Sequence, residues 1–81
     1  MGVPFSPDRA EAIRHIKMAI HYLSQSPAAL WIASAHLSEA ERFIAGESVE
    51  LMKELRNARH VVGSDDAASL VVSVLQRLGE N

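Results

Sequence analysis

Apolar residues recur along most of the chain at the three- and four-residue spacing that puts them on one face of an α-helix. The first such stripe consists of Ile13, Ile16, Ile20 and Leu23. Ser6 and Pro7 stand just before it, as the N-cap hydroxyl and the first helical residue of a typical helix start. We therefore predict helix 1 over residues 7–24, after an N-terminal arm over residues 1–5.

A second Ser-Pro pair, Ser26 and Pro27, predicts the start of helix 2 in the same way. Gly46 is placed to cap its C-terminus, so the helix is predicted over residues 27–45. The apolar arc that should face the core consists of Leu30, Ile32, Ala33, Leu37, Ala40, Phe43 and Ile44. Because the link around Gln25 is short, helices 1 and 2 should form an antiparallel hairpin.

Two shorter helices follow. Helix 3, predicted over residues 47–62, directs Leu51, Leu55, Ala58 and Val62 to the core and ends before Gly63. Helix 4 is predicted over residues 65–78, because Ser64 and two aspartates suit a helix N-terminus and Gly79 suits its end. Its valine-rich segment 71–74 is β-prone, but the acidic cap and the length favour a helix.

Four amphipathic helices with short links predict an all-α fold, a small four-helix bundle of two helical hairpins in one domain over residues 1–81. The chain has no cysteine, so neither a disulfide nor a thiolate can contribute. No apolar run approaches the roughly 20 residues that span a bilayer, and the N-terminus does not read as a signal peptide. We therefore expect a soluble, cytoplasmic protein whose small core leaves little stability margin without self-association.

Several apolar residues are not needed by the predicted core. Trp31 falls outside the apolar arc of helix 2 and shares its other side with Ala35. Helix 1 carries a second flank with Met18 and Tyr22, and the wide apolar arc of helix 4 extends to Val72. Surplus apolar surface on three helices is typical of an interface. We predict that these five residues bind a second copy of the chain and another protein; the alternative for Trp31 is that residues 3–5 fold back over it.

A basic strip on helix 3 offers a different function. It consists of Lys53, Arg56, Arg59 and His60. With Gly63 as the turn, helices 3 and 4 read as a helix-turn-helix that could bind DNA or RNA. Asp65 and Asp66 would then face phosphates, and the formal net charge is −2, so a solvated helix face with mixed charges is the better interpretation.

Histidines and glutamates provide a third alternative, a metal site. Glu11 and His15 are spaced i, i+4, and His36 and Glu39 are spaced i, i+3, on helices that should pack together. We favour His36 as a core histidine bonded to a neighbour. Because no nucleophile motif or phosphate-binding glycine loop occurs, we predict no enzyme and no cofactor, but a non-catalytic interaction, adaptor or regulatory module.

Overall fold

The computed structural model describes residues 7–79, and within this range the chain forms four α-helices and no strand. The helices are α1 (Pro7–Leu23), α2 (Leu30–Ile44), α3 (Val49–His60) and α4 (Asp66–Arg77). Helices α1 and α3 each pack against both α2 and α4, so the four helices form a ring around the core. The predicted all-α fold is confirmed, including the helical state of the valine-rich segment. No helix in the described range has the length and apolar content to cross a membrane.

Helix α1 ends one residue before the predicted position, because Ser24 closes it. The Ser24 hydroxyl donates to the Ile20 carbonyl at 2.8 Å, and the Ser24 amide donates to the same oxygen at 3.0 Å. A serine hydroxyl that donates to the carbonyl four residues earlier competes with the backbone hydrogen bonds of the helix and favours its end at this position. The arm predicted over residues 1–5 and the cap predicted at Ser6 lie outside the described residues.

Helix α2 begins three residues later than predicted, at Leu30. The prediction that Ser26 caps this helix with Pro27 in its first turn is wrong. Ala29 holds the N-cap position and forms no side-chain cap bond. Its backbone amide instead donates to the Tyr22 carbonyl at 3.0 Å, so the chain up to this point belongs to a loop that turns back onto α1.

The turn between α2 and α3 also differs from the prediction. The C-cap is Ala45 in a right-handed helical conformation, not Gly46. The Ser48 amide donates to the Ile44 carbonyl at 2.9 Å and closes the turn without a left-handed residue. The Ser48 hydroxyl then accepts from the Leu51 amide at 3.2 Å and caps α3. Residues 47–48 and 61–62, which were predicted to be helical, belong to the turns on either side of α3. The helix is therefore shorter than predicted by two residues at each end.

Helix α4 has its predicted extent within one residue, but its first turn is capped differently. The Ser64 hydroxyl donates to the Val61 carbonyl at 2.8 Å, so it belongs to the preceding turn and does not cap α4. Asp65 holds the N-cap position without a side-chain cap bond. Gly79 ends the helix as predicted: its φ of +89° favours glycine, and its amide donates to the Gln76 carbonyl at 3.0 Å.

The core is built by side chains from all four helices. Its buried members are Ala12, Ile13, Ile16, Ala19, Leu37, Ala40, Ile44, Leu55, Ala58, Val71, Val74, Leu75 and Leu78. Leu30 and Ile32, predicted to face this core, are 39% and 44% exposed. They lie in the first turn of α2, and the first buried residue of that helix is Ala33, so this turn extends past the buried layer.

The two ends of the bundle differ in their contacts. At one end, which we call the closed end, Arg9 of α1 donates hydrogen bonds to the Glu47 carboxylate and to the Leu78 carbonyl. These bonds join the start of α1, the α2–α3 turn and the end of α4. The other, called the open end, consists of the loop 24–29, the first turn of α2, and the turn 61–65 with the start of α4.

Candidate interaction surface

Exposed apolar side chains are concentrated at the open end. Trp31 is 90% exposed, which confirms the prediction that it points away from the core. Its neighbours Leu30 and Ile32 are partly exposed, as is Val61 after α3. Among the described residues one other large apolar side chain is exposed, that of Val49 in the first turn of α3, next to the closed end. Exposed apolar side chains grouped at one end of a fold are a feature of binding sites in folded proteins.

A groove lies beside this apolar area. It has a volume of about 280 Å³ and is open to solvent. Its walls come from the end of α1, the loop and first residue of α2, and the α3–α4 turn: Leu23, Ala28, Leu30, Val62, Gly63, Ser64, Asp65 and Ala68. The groove lining is therefore mixed: five apolar side chains contribute to it, and Ser64 and Asp65 contribute the side-chain oxygens. We call the groove, together with Leu30, Trp31, Ile32 and Val61, the open-end surface.

The other four predicted interface residues differ in how far they are exposed to solvent. Ala35 lies one turn after the tryptophan on α2 and is exposed. Met18 of α1 and Val72 of α4 are half-buried. Tyr22 is half-buried as well, because its ring stacks on that of His36 with the ring centres 5.7 Å apart. Only the α2 members of the predicted set therefore belong to one exposed face.

Four rings form a row of contacts between α1 and α2, in which two pairs are stacked and the two histidine rings are tilted by 35° to each other. His36 lies between Tyr22 and His15, and His15 stacks in turn on Phe43 with the ring centres 5.9 Å apart. The Nδ1 atoms of His15 and His36 are 2.9 Å apart, so one imidazole donates a hydrogen bond and the other accepts it. This confirms His36 as a histidine bonded to a neighbour. Burial, together with the nearby charges of Arg14 and His36, lowers the pKa of His15.

The geometry does not assemble the four predicted metal ligands. Glu11 approaches His15 at Nε2, at 3.8 Å, whereas His36 faces the Nδ1 atom of the same ring. Glu39 pairs with Arg42 at 3.4 Å. Within residues 7–79 there is no group of three or more histidine, cysteine, aspartate or glutamate side chains that could hold a metal ion. The contacts of His15 and His36 instead pack α1 against α2.

Two residues of the basic strip of α3 form ion pairs with α2. Arg59 donates to the Glu41 carboxylate of α2 at 2.5 Å, and Arg56 lies 3.4 Å from the same group. The bond to Glu41 raises the pKa of Arg59. Glu41 is 7% exposed and was not singled out from the sequence, although its spacing from Leu37 and Ile44 continues the buried stripe of α2 and was a usable signal.

On its other side, α3 is linked to α4. Arg77 forms ion pairs with Glu54 and Glu50. Lys53 and His60 are exposed, and neither forms an ion pair with another described residue. The charges of α3 therefore act largely as interhelical ties, and the free positive charge on this face is smaller than the count of basic residues suggests.

The described residues thus provide three features: the open-end surface, a row of four contacting rings between α1 and α2, and a set of interhelical ion pairs. The chain matches no protein-family model, no curated protein and no solved structure. The rings and the ion pairs are engaged within the chain, whereas Trp31 is almost fully in solvent. The open-end surface is accordingly the candidate site.

Proposed function

We propose that this chain is a non-catalytic interaction module, of the adaptor or regulatory kind, that associates with itself and binds another protein through the open-end surface. The observation that carries the proposal is the 90% exposed side chain of Trp31. Tryptophan is enriched among the residues that dominate binding energy. A tryptophan side chain buries about 150–250 Å², which contributes about 4–6 kcal/mol before the entropic cost of association.

Self-association is supported by the size of the chain and by the position of the exposed residues. A domain of 81 residues buries a smaller share of its surface than a larger one, so additional apolar burial between copies would stabilise it. Leu30, Trp31 and Ile32 are exposed in the first turn of α2, so a second copy docked on that end of the bundle would contact this turn. The proposal includes a cytoplasmic location, which cell fractionation would test.

Sedimentation equilibrium with tryptophan fluorescence tests this function, because Trp31 is the only tryptophan of the chain. We expect the average mass to rise with concentration and the emission to shift to the blue as the indole leaves water. Trp31→Ala should lower the mass, and Val49→Ala is the matched control, since it removes an exposed apolar side chain next to the closed end. A wild type that stays monomeric, with emission that does not change, would contradict self-association.

A second candidate, DNA or RNA binding, is supported by the exposed Lys53 and His60 of α3. Asp65 and Asp66 are both exposed at the start of α4, where a recognition helix would meet phosphates. A labelled duplex and a labelled single strand at low salt provide the test. Binding that a Lys53→Glu/His60→Glu variant abolishes would support this candidate, and the absence of any shift would remove it.

A further inference from the structure

We propose that two copies of the chain associate by reciprocal insertion, with Trp31 of each copy occupying the open-end groove of the other. This inference rests on the proposed function, because it takes the open end to be an interaction surface. It goes further by naming the occupant of the groove as the indole of a second copy. Both parts of the contact, an exposed ring and a groove open to solvent, are present in the single chain.

The groove has the size of one aromatic side chain. A cavity of about 150 Å³ is enough to hold benzene, which has six non-hydrogen atoms, so a groove of about 280 Å³ has room for the larger indole ring. A whole helix is about 10 Å across and would not enter. Trp31 of the same copy does not line the groove, and its exposure shows that it does not fill it. The groove therefore suits one indole that comes from outside.

The chemistry of the groove matches an indole as well. Leu23, Leu30 and Val62 supply apolar walls for the ring. A buried indole also needs an acceptor for its single N–H donor. Ser64 and Asp65 are the groove residues with side-chain oxygens, and a carboxylate is the stronger acceptor for an N–H group. This hydrogen-bond complementarity favours tryptophan over a purely aliphatic side chain as the occupant.

The positions of Trp31 and the groove allow two copies to form a symmetric contact. Trp31 directly follows Leu30, which is a wall of the groove, so the two features lie side by side at the open end. A two-fold axis between them lets each copy insert one ring and receive one ring. Such an isologous contact forms a dimer and leaves neither open-end surface available for further growth.

The expected interface is small. Two inserted indoles bury about 300–500 Å² of ring surface, and the groove walls that cover them add at most about the same area again. Stable interfaces bury about 1,200–2,000 Å² counted on both partners, so this contact lies below that range. We therefore expect a dimer that dissociates on dilution within the range that sedimentation can follow.

Two variants separate the ring from the groove. Trp31→Ala removes the ring and leaves the groove intact. Gly63→Leu fills the groove and leaves the ring intact: Gly63 does not have a left-handed φ, and a Cβ built there meets only the Cδ1 atom of Leu30, at an ordinary 3.8 Å. A homodimer of either variant loses both ring-in-groove contacts, so each variant alone should dimerise about a thousandfold more weakly than the wild type, at about thirtyfold for each binding hot spot lost.

Mixing the two variants is the decisive measurement. Trp31→Ala brings an intact groove and Gly63→Leu brings an intact ring, so the mixture should form a heterodimer with one of the two contacts restored. Only Gly63→Leu contains tryptophan, so its emission should shift to the blue when Trp31→Ala is added. Circular dichroism of each variant checks the fold, and Ala68→Leu fills the groove from α4 if Gly63→Leu does not fold.

The outcomes distinguish this inference from the proposed function. If Gly63→Leu and Ala68→Leu dimerise as strongly as the wild type, the groove does not hold the ring; reciprocal insertion is then wrong, while self-association through Trp31 stands. If the mixture forms no heterodimer although the wild type dimerises, reciprocal insertion is also wrong. A wild type that is monomeric at every concentration overturns both.

Discussion

At the closed end of the bundle, Arg9 ties α1 to the α2–α3 turn and to the last residues of α4, and Ile44 and Leu78 are buried beneath it. At the open end, the first turn of α2 extends past the buried layer and Trp31 is 90% exposed. Both ends are built from the termini of the same four helices, but among the described residues only the closed end has a side chain that hydrogen-bonds across three of its segments. We therefore expect the closed end to contribute more to stability, and the proposal that the open end binds a partner rests on the same difference.

The largest expected effect comes from the apolar residues at the two ends. Ile44 is fully buried, so Ile44→Ala removes buried apolar atoms and leaves a cavity. It should lower the free energy of unfolding by about 2–5 kcal/mol. Leu30 is 39% exposed, and Leu30→Ala should cost below about 1 kcal/mol. Urea unfolding at low protein concentration measures both. Equal losses would show that the open end is packed as firmly as the closed one.

A smaller effect is expected from the polar tie of the closed end. Arg9→Ala removes the hydrogen bonds to Glu47 and to the Leu78 carbonyl, and should lower the free energy of unfolding by about 1 kcal/mol. Arg14→Ala is the matched control, because Arg14 pairs only within α1, with Glu11, at an exposed position. If the two variants unfold alike, Arg9 is not the residue that closes this end.

Between the two ends, the histidine pair should make stability depend on pH. Burial lowers the pKa of His15, and the charges of Arg14 and His36 lower it further, while Glu39 and Glu11 oppose the shift. In the unfolded chain a histidine titrates near its ordinary value of about 6.5. The unfolded state therefore binds more protons as the pH falls through about 6.5, so the free energy of unfolding should decrease on acidification.

Thermal unfolding at about pH 7.5 and about pH 5 measures this effect. His15→Gln should reduce the dependence of Tm on pH, since it removes the titrating group. The exposed His60 provides the control, and His60→Gln should keep the wild-type dependence. A pH dependence that persists unchanged in His15→Gln would show that other groups cause it.

The smallest expected effect on stability is that of Trp31→Ala. The side chain is 90% exposed, so its removal should change the free energy of unfolding of the dilute monomer by no more than about 0.5 kcal/mol in either direction. The same variant should markedly weaken dimerisation, and this contrast between stability and assembly is what defines a binding residue. A large loss of stability in the monomer would instead assign Trp31 to the fold.

Much of the fold was predictable because helical periodicity is a local property. The Ile13 and Ile16 stripe, the stop at Gly79 and the outward direction of Trp31 all follow from spacing along one helix. The start of α2 was not predictable in this way. A Ser-Pro pair is a valid helix start in isolation, but a hydrogen bond from Ala29 back to α1 keeps it in the loop.

The candidate site was predictable only in its central residue. Trp31 was identified because it fell outside the apolar arc of its own helix, whereas the groove beside it is formed by segments far apart in sequence, Leu23, Leu30 and the 62–65 turn. The basic strip of α3 could be read from the sequence, but the carboxylate that pairs with it, Glu41, lies on another helix.

The sequence by itself determined the four helices, their amphipathic faces and the single tryptophan left off them, because each depends on residues within a few turns of one another. The tertiary structure decided which end of the bundle is completed, which charges are paired and where a groove opens next to Trp31. Those features depend on how helix ends meet across the bundle, and the packing of distant segments sets that register.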